Sequence, residues 1–199
     1  MQARFEEEIK DILRLCVPFD RIYTSVFLLR TSEGNILVDS ATTDEDVDTV
    51  ILPALRALGY ELSDLCALVL THRHSDHAGG LARIRVLAPD LPVLTEAGTR
   101  IGMLEIYPMK GHTEDSVGVY DARTHTLIAG DGLQCAGVDR YPCSLASREA
   151  YHATINRIRA DESIENILFS HAYEPWKNNR AFGRSEVLAR LADCESCIK

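Results

Sequence analysis

Four side chains of the types that bind metals in proteins stand close together in the segment Thr71-His-Arg-His-Ser-Asp-His-Ala-Gly-Gly80. Imidazole nitrogens and carboxylate oxygens are common ligands of zinc and other divalent metals. Alternate residues of an extended chain point to the same side, so we expect His72 and His74 to face one point in space. With Asp76 and His77, this loop offers more ligands than one ion takes from a single loop. The segment therefore predicts two ions that share the loop, with further ligands from elsewhere.

The elements around this loop must hold its side chains in place. The apolar run Leu65–Leu70 predicts a buried strand that ends at the loop. Asp76 and His77 would follow as the chain turns towards a helix beginning near Ala78. A short helix is then predicted from Leu81 to Ala88, ending before Pro89.

Three later residues have the right chemistry, and each follows a strand-like run. They are His112 in Gly-His-Thr, Asp131 in Gly-Asp-Gly and His171 in Ser-His. Loops at strand ends often carry functional groups, because the scaffold fixes their position. The two other histidines, His125 in a predicted turn and His152 on a predicted helix, are interpreted as lying outside the site.

The rest of the chain predicts α/β layers in a single domain over residues 1–199. The N-terminal part is interpreted as strands over Ile9–Val17 and Ile22–Leu29, with a helix over Phe5–Leu15 as the alternative. A hairpin turn is predicted at Ser32–Asn35. A helix is predicted from Asp44, capped by Thr42 or Thr43, interrupted at Pro53 and closed by Gly59. The other predicted elements are strands near Val93 and over Met103–Tyr107, Val117–Tyr120, Thr126–Ile128 and Ile164–Ser170, and helices over Ser147–Ala160 and Arg184–Cys194.

Composition limits the classes of partner. The chain has 199 residues, 46% hydrophobic content and a net charge of −9, as expected for a globular protein without a basic surface for nucleic acid. No apolar run reaches the ~20 residues of a membrane span. The charged N-terminus lacks a secretory apolar region, so we expect a cytoplasmic protein that acts on a small molecule. The oligomeric state is open.

The order of these motifs, H-x-H-x-D-H, Gly-His-Thr, Gly-Asp-Gly and Ser-His, resembles the metallo-β-lactamase superfamily. The resemblance extends from about Val17 to Trp176 and implies a four-layer αββα sandwich. It also implies a site with two metal ions. His72, His74 and His112 would hold one ion, Asp76, His77 and His171 would hold the other, Asp131 would bridge them, and Asp39 would orient the ligand loop by hydrogen bonding.

The resemblance implies a hydrolase in which a metal-bound hydroxide attacks an ester, thioester or lactone. Zinc is the expected metal, with iron or manganese as alternatives. Asp76 is the candidate catalytic residue, because its carboxylate could accept a proton or orient the nucleophile.

Details of the motifs indicate which members of the superfamily the chain resembles most. Asp131 at the bridging position resembles glyoxalase II-like and lactonase-like members, whereas the best-known zinc β-lactamases carry Cys or Ser there. This difference makes lactam hydrolysis a less favoured alternative. Only about one helix of sequence follows His171, which disfavours a true hydroxyacylglutathione hydrolase and leaves a smaller thioester as the expectation.

Two other functions stay open. One is a mononuclear iron oxygenase resembling persulfide dioxygenases, which keep the scaffold and bind iron through two histidines and one aspartate. The other is a non-enzymatic metal-binding or redox module built on Cys194 and Cys197. Candidates for the wall of the cleft are Cys135, Tyr141, Tyr173 and Trp176, and the acids Glu114 and Asp115 are interpreted as solvated loop residues.

Overall fold

The computed structural model describes residues 3–19, 22–134, 144–172 and 179–196. The chain divides into two compact units, residues 1–95 and 96–199, and each contains one six-stranded sheet with helices. The predicted α/β class is therefore confirmed. The single domain over residues 1–199 stays a prediction.

The sheet of the first unit follows chain order from β1 to β6. Its first four strands pair antiparallel, and the last three pair parallel. The N-terminal strands are confirmed over the helical alternative, but the predicted strand over Ile9–Val17 begins only at Ile12, after a turn, and the preceding strand Glu6–Ile9 was not predicted. The strands are β1 (Glu6–Ile9), β2 (Ile12–Phe19), β3 (Ile22–Thr31), β4 (Gly34–Val38), β5 (Leu65–Val69) and β6 (Val93–Leu94).

Helices connect the parallel strands of this unit, as parallel pairing requires. Helix α1 (Asp44–Asp46) has the predicted cap at Thr43, whose side chain accepts the Asp46 N–H. It continues through a π-helical turn (Val47–Ile51) into α2 (Leu52–Ala57), which contains Pro53 near its start. The irregular turn lies where proline, which has no N–H, interrupts the regular helical hydrogen bonds, as predicted. A 3-10 turn (Leu62–Asp64), α3 (Ser75–Ala78) and α4 (Leu81–Leu87) complete the unit.

One apolar core holds the helices of the first unit on its sheet. Side chains two residues apart on a strand share a face, and the helices contribute their apolar stripe. The core includes Leu13, Leu15, Val17, Val26, Leu28, Leu37 and Leu68 from the strands and Val47, Ile51, Leu55 and Ile84 from the helices.

The sheet of the second unit has the order β12-β11-β10-β9-β8-β7. Its strands pair antiparallel except for the parallel pair β10 and β11. The sequence did not predict the first and last of these strands, because two or three residues are too short for a periodic pattern. The strands are β7 (Arg100–Ile101), β8 (Leu104–Pro108), β9 (Val117–Asp121), β10 (Thr126–Ile128), β11 (Asn166–Leu168) and β12 (Arg180–Phe182).

Two helices pack on the second sheet, both close to their predicted bounds: α5 (Arg148–Ala160) and α6 (Arg184–Ser196). Their core residues include Tyr151, Ile155, Ile158, Val187 and Leu191. Cys194 is also buried in this core, whereas Cys197 lies outside the described residues. In the described part of the chain, no helix has the length and apolarity needed to span a bilayer.

Candidate metal centre

Parallel strands bring two distant residues of the first unit to one edge. Asp39 follows β4 and Thr71 follows β5, and because these strands are parallel, their carboxyl ends lie at the same edge of the sheet. The backbone confirms this proximity, since Asp39 N–H donates to the carbonyl of Val69 over 2.8 Å. The loop with four candidate ligands therefore begins beside Asp39.

The Asp39 carboxylate is the centre of a buried hydrogen-bond network. Its Oδ1 accepts the Thr71 backbone N–H at 2.8 Å. Its Oδ2 accepts the Thr71 hydroxyl at 2.9 Å and lies 2.7 Å from Nδ1 of His77. Because a carboxylate only accepts, Nδ1 of His77 carries the proton and Nε2 keeps its lone pair. Asp39 has a left-handed backbone with φ of 66°, an uncommon conformation outside glycine that this network stabilises.

The ligand loop differs from the prediction in one respect. A helical turn starts at Ser75, three residues before the predicted start near Ala78, and it includes both Asp76 and His77. Tertiary hydrogen bonds stabilise this turn, which is too short for a periodic pattern. Ser40 N–H donates to the carbonyl of His77 over 2.7 Å, and Gly79 N–H donates to that of Ala41 over 2.9 Å.

The four candidate ligands of this loop fall into two pairs. The ligand atoms of His72 and His74 lie within 4.8 Å of one another, as do those of Asp76 and His77. Nε2 of His77 is 3.4 Å from Oδ2 of Asp76. His72 and His77 are buried, while the Asp76 side chain is partly exposed.

Gly79 lets the ligand loop approach the start of the first helical segment. A Cβ atom at this position would overlap the carbonyl oxygen of Thr42. Glycine is therefore required here because the space is too small for a Cβ atom. Its backbone φ, which is not in the left-handed region, could be adopted by other residues. The Ala-Gly-Gly end of the motif serves the packing of the loop.

Strand direction also gathers the three candidate ligands of the second unit. Strands β8, β10 and β11 run in the same direction, since β9 is antiparallel to both β8 and β10, and β10 is parallel to β11. Their carboxyl ends lead to His112, Asp131 and His171, respectively. Oδ1 of Asp131 is 3.2 Å from Nε2 of His171, and Oδ2 is 3.8 Å from Nε2 of His112. The two carboxylate oxygens thus face different histidines.

His112 is fixed by the residues around its Nδ1 atom. This nitrogen lies 2.7 Å from the carbonyl oxygen of Ser144, which can only accept, so Nδ1 carries the proton. The amide nitrogen of Gln134 is 2.9 Å from the same atom but cannot donate to an N–H, and we therefore assign the hydrogen bond to Ser144. Gln134 is held in turn, because its Oε1 accepts the Ser144 N–H at 3.0 Å.

Tyr151 supports the same loop from helix α5. Its hydroxyl accepts the Gln134 backbone N–H at 2.8 Å and donates to the Gln134 carbonyl at 2.9 Å. Gly111 has a φ of 137°, and a Cβ atom there would lie 2.5 Å from Cα of Tyr151. The residue before His112 therefore has to be glycine.

No role was predicted for Thr71, Gln134 or Tyr151. Thr71 stood at the predicted end of a strand, which was the available signal, whereas the two others had none. Glu114 and Asp115 are exposed, as predicted. His125 is an exposed turn residue and His152 lies 3.8 Å from Glu195, and neither belongs to the described ligand groups. Outside the described residues lie Cys135, Tyr141, Tyr173 and Trp176.

The donor set suits divalent metal ions. Each unit offers imidazoles and at least one carboxylate, the ligands that zinc, iron and manganese share. His77 and His112 have their Nδ1 protons engaged by protein acceptors, which leaves Nε2 as the donor atom. Histidines that bind metals are typically oriented in this way.

The comparisons with known proteins agree with the fold. The family model of the metallo-beta-lactamase superfamily matches residues 20–93. The structure is similar to a metallo-β-lactamase from Erythrobacter litoralis, with a TM-score of 0.71 and 20% identity over 98% of this chain and 97% of that one. The chain therefore resembles the metallo-β-lactamase superfamily in part of its sequence and in its fold. The mono-zinc form of the metallo-β-lactamase FIM-1 from Pseudomonas aeruginosa has the same fold, with a TM-score of 0.74 and 15% identity over 100% and 97% of the two chains. The predicted metallo-β-lactamase fold is confirmed.

Sequence relatives of this chain include hydroxyacylglutathione hydrolases. The one from Haemophilus ducreyi is 24% identical over 177 residues, which cover 80% of this chain and 69% of the relative. The one from Pseudomonas paraeruginosa is 31% identical over 160 residues, which cover 67% and 60%. The chain spans about 59–69% of the length of the first five curated relatives that it matches.

Proposed function

We propose that this protein is a metal-dependent hydrolase with a dinuclear centre that cleaves an acyl thioester, ester or lactone. The observation that carries the proposal is the placement of Asp131. Its two oxygens face two different histidines, His171 at 3.2 Å and His112 at 3.8 Å. A carboxylate in this position is suited to bridge two ions, one near each imidazole.

The ligand assignment follows the pairs within each unit. In the proposed centre, His112 completes the set of His72 and His74. His171 completes the set of Asp76 and His77. Asp131 belongs to both sets, and its negative charge, with that of Asp76, offsets part of the charge of the two cations.

When bound, the two ions supply Lewis acidity, which lowers the pKa of a water molecule and polarises the acyl carbonyl. The protein supplies the orientation. Asp39 holds the Nδ1 proton of His77 and the Ser144 carbonyl holds that of His112, so both rings present Nε2. Asp76 is partly exposed, and we assign to its carboxylate the role of accepting a proton from the reacting water.

A thioester is the substrate class that we favour within the acyl group. Support comes from the relatives, which are named hydroxyacylglutathione hydrolases, because hydroxyacylglutathione is itself a thioester. The substrate panel described below separates an acyl group carried by glutathione from one carried by a smaller thiol. We propose a small molecule in either case.

The test combines metal analysis with a substrate panel. Protein purified without added metal is analysed for zinc, iron and manganese. It is then assayed for hydrolysis of a hydroxyacylglutathione, a small acyl thioester, a lactone and a β-lactam, and for oxygen uptake with a persulfide. We expect two divalent ions per chain and turnover of at least one thioester. One iron per chain, with oxygen uptake on a persulfide, would overturn the hydrolase in favour of the oxygenase.

Matched histidine variants separate ligation from general damage. His112→Ala should lower the metal content and abolish turnover. His125→Asn should leave both unchanged, since His125 is exposed and has a positive φ of 54°, a conformation that Asn tolerates. Full metal loading and activity in folded His112→Ala would contradict the proposed centre.

A further inference from the structure

The hydroxyl of Thr71 lies between the carboxylate of Asp39 and the imidazole of His72. Thr71 Oγ1 is 2.9 Å from Oδ2 of Asp39 and 3.1 Å from Nδ1 of His72. The exposed fractions are 1% for Asp39 and Thr71 and 2% for His72. Water therefore competes little for these bonds, and burial strengthens their electrostatic component.

The positions of the protons follow from the donors and acceptors. The Asp39 carboxylate only accepts, so the single hydroxyl proton of Thr71 is directed to Oδ2. The lone pairs of Thr71 Oγ1 are then available to His72, whose Nδ1 donates. Nδ1 of His77 lies farther from this hydroxyl, at 3.4 Å, and donates directly to Asp39 at 2.7 Å.

We propose that Thr71 is a positioning residue: its hydroxyl, held by a hydrogen bond to Asp39, accepts the Nδ1 proton of His72 and so orients that imidazole. One carboxylate thereby fixes a histidine in each of the two proposed ligand sets: His77 directly, and His72 through the threonine hydroxyl. The proton on Nδ1 of His72 leaves Nε2 as the metal donor. The proposal rests on the proposed metal centre for its function, but not for its geometry.

The unequal paths predict unequal effects of substitution. Loss of the Thr71 hydroxyl removes an acceptor from His72, whereas His77 keeps its bond to Asp39 and its backbone bond from Ser40. Removal of a partner that orients a ligand typically lowers metal affinity by about 10–100-fold. Thr71→Val should therefore weaken the ion bound by His72 and leave the ion bound by His77 within about threefold.

The first experiment measures zinc affinity by competition with a chelator for the wild type, Thr71→Val, Thr71→Ser and Asp39→Asn. We expect Thr71→Val to weaken one of the two zinc ions, Thr71→Ser to restore it, and Asp39→Asn to weaken both. Circular dichroism and thermal unfolding confirm the fold, and Thr71→Ala is a second variant without a hydroxyl if Thr71→Val does not fold. Equal weakening of both ions in Thr71→Val, or no rescue in Thr71→Ser, would overturn the proposal.

The second experiment is independent of metal and of activity. Long-range proton–nitrogen NMR spectra of the metal-free protein report which ring nitrogen of each histidine carries the proton. We expect His72 to be protonated at Nδ1 in the wild type and Thr71→Ser, and to lose this preference in Thr71→Val while His77 keeps it. An unchanged His72 tautomer in Thr71→Val would overturn the role of Thr71. Failure of the wild type to bind zinc would instead contradict the proposed function.

Discussion

Nδ1 of His77 lies 2.7 Å from Oδ2 of Asp39, which is 38 residues earlier in the chain, and both side chains are buried. The two residues meet because the parallel strands β4 and β5 end at the same edge of the sheet. The hydrogen bond fixes the imidazole tautomer, which covalent structure alone leaves free. The orientation of His77 in the ligand loop is thus fixed by a residue that lies outside the loop.

Asp76→Ala tests the candidate catalytic residue. We expect turnover of an activated thioester to fall by at least ~100-fold, because the substitution removes a carboxylate proposed both to hold an ion and to accept a proton. The melting temperature of the metal-free protein should change little, since the side chain is partly exposed. Asp90→Ala, a substitution of an exposed aspartate outside the ligand sets, is the matched control. Unchanged turnover in Asp76→Ala would remove this carboxylate from the mechanism.

Gly79→Ala tests the close approach of the ligand loop to Thr42. The new methyl group would overlap the Thr42 carbonyl, and we expect the free energy of unfolding to fall by about 3 kcal/mol or more. Gly59→Ala is the control, because Gly59 has a positive φ of 83° but open space around it. Conformational strain alone should cost about 1–2 kcal/mol there. Urea unfolding measures both, and equal losses would contradict the packing argument.

Tyr151→Phe tests the support of the His112 loop. The substitution leaves the backbone N–H and carbonyl of Gln134 without their hydroxyl partner inside the core, which should cost about 1–3 kcal/mol of unfolding free energy. Tyr120→Phe is the control, since the Tyr120 hydroxyl donates to Ser163 at 3.1 Å at an exposed site. We expect its loss to stay below ~1 kcal/mol in the same urea titration. A larger effect at Tyr120 than at Tyr151 would be inconsistent with the assigned network.

Tyr107 gives a pH dependence that can be isolated by substitution. Burial, with the negative charge of Asp161 as a smaller cause, raises the pKa of Tyr107 from 10.0 to about 12. Between these values the unfolded chain releases the proton and the folded protein retains it, so stability falls as pH rises. The slope attributable to this residue is at most ~1.4 kcal/mol per pH unit. It should be absent below pH 10 and absent in Tyr107→Phe.

The measurement is the difference in unfolding free energy between the wild type and Tyr107→Phe from pH 9 to pH 12. A constant offset is expected below pH 10, because Tyr107→Phe also loses the 3.4 Å contact with Asp161. The difference should then shrink as the wild type loses stability. A difference that stays constant across the whole range would contradict the raised pKa.

The sequence alone determined the long elements and the candidate ligands. A continuous apolar run predicted β5, and α5 and α6 were predicted close to their observed bounds. The residue types of the histidine loop and of Asp131 predicted metal chemistry, since few side chains offer such donors. Thr43 was one of the two capping residues predicted, because the capping interaction is local.

Only the tertiary structure decided the features that depend on distant partners. The edge strands β7 and β12 are too short for a pattern and exist through pairing with β8 and β11. The helical turn at Ser75 depends on hydrogen bonds to the loop after β4. The roles of Thr71 and Tyr151 depend on where their hydroxyls lie, because a hydroxyl donates or accepts according to the atoms that the fold brings to it. Residue type therefore decided which atoms could bind a metal, and tertiary contacts decided which way those atoms face.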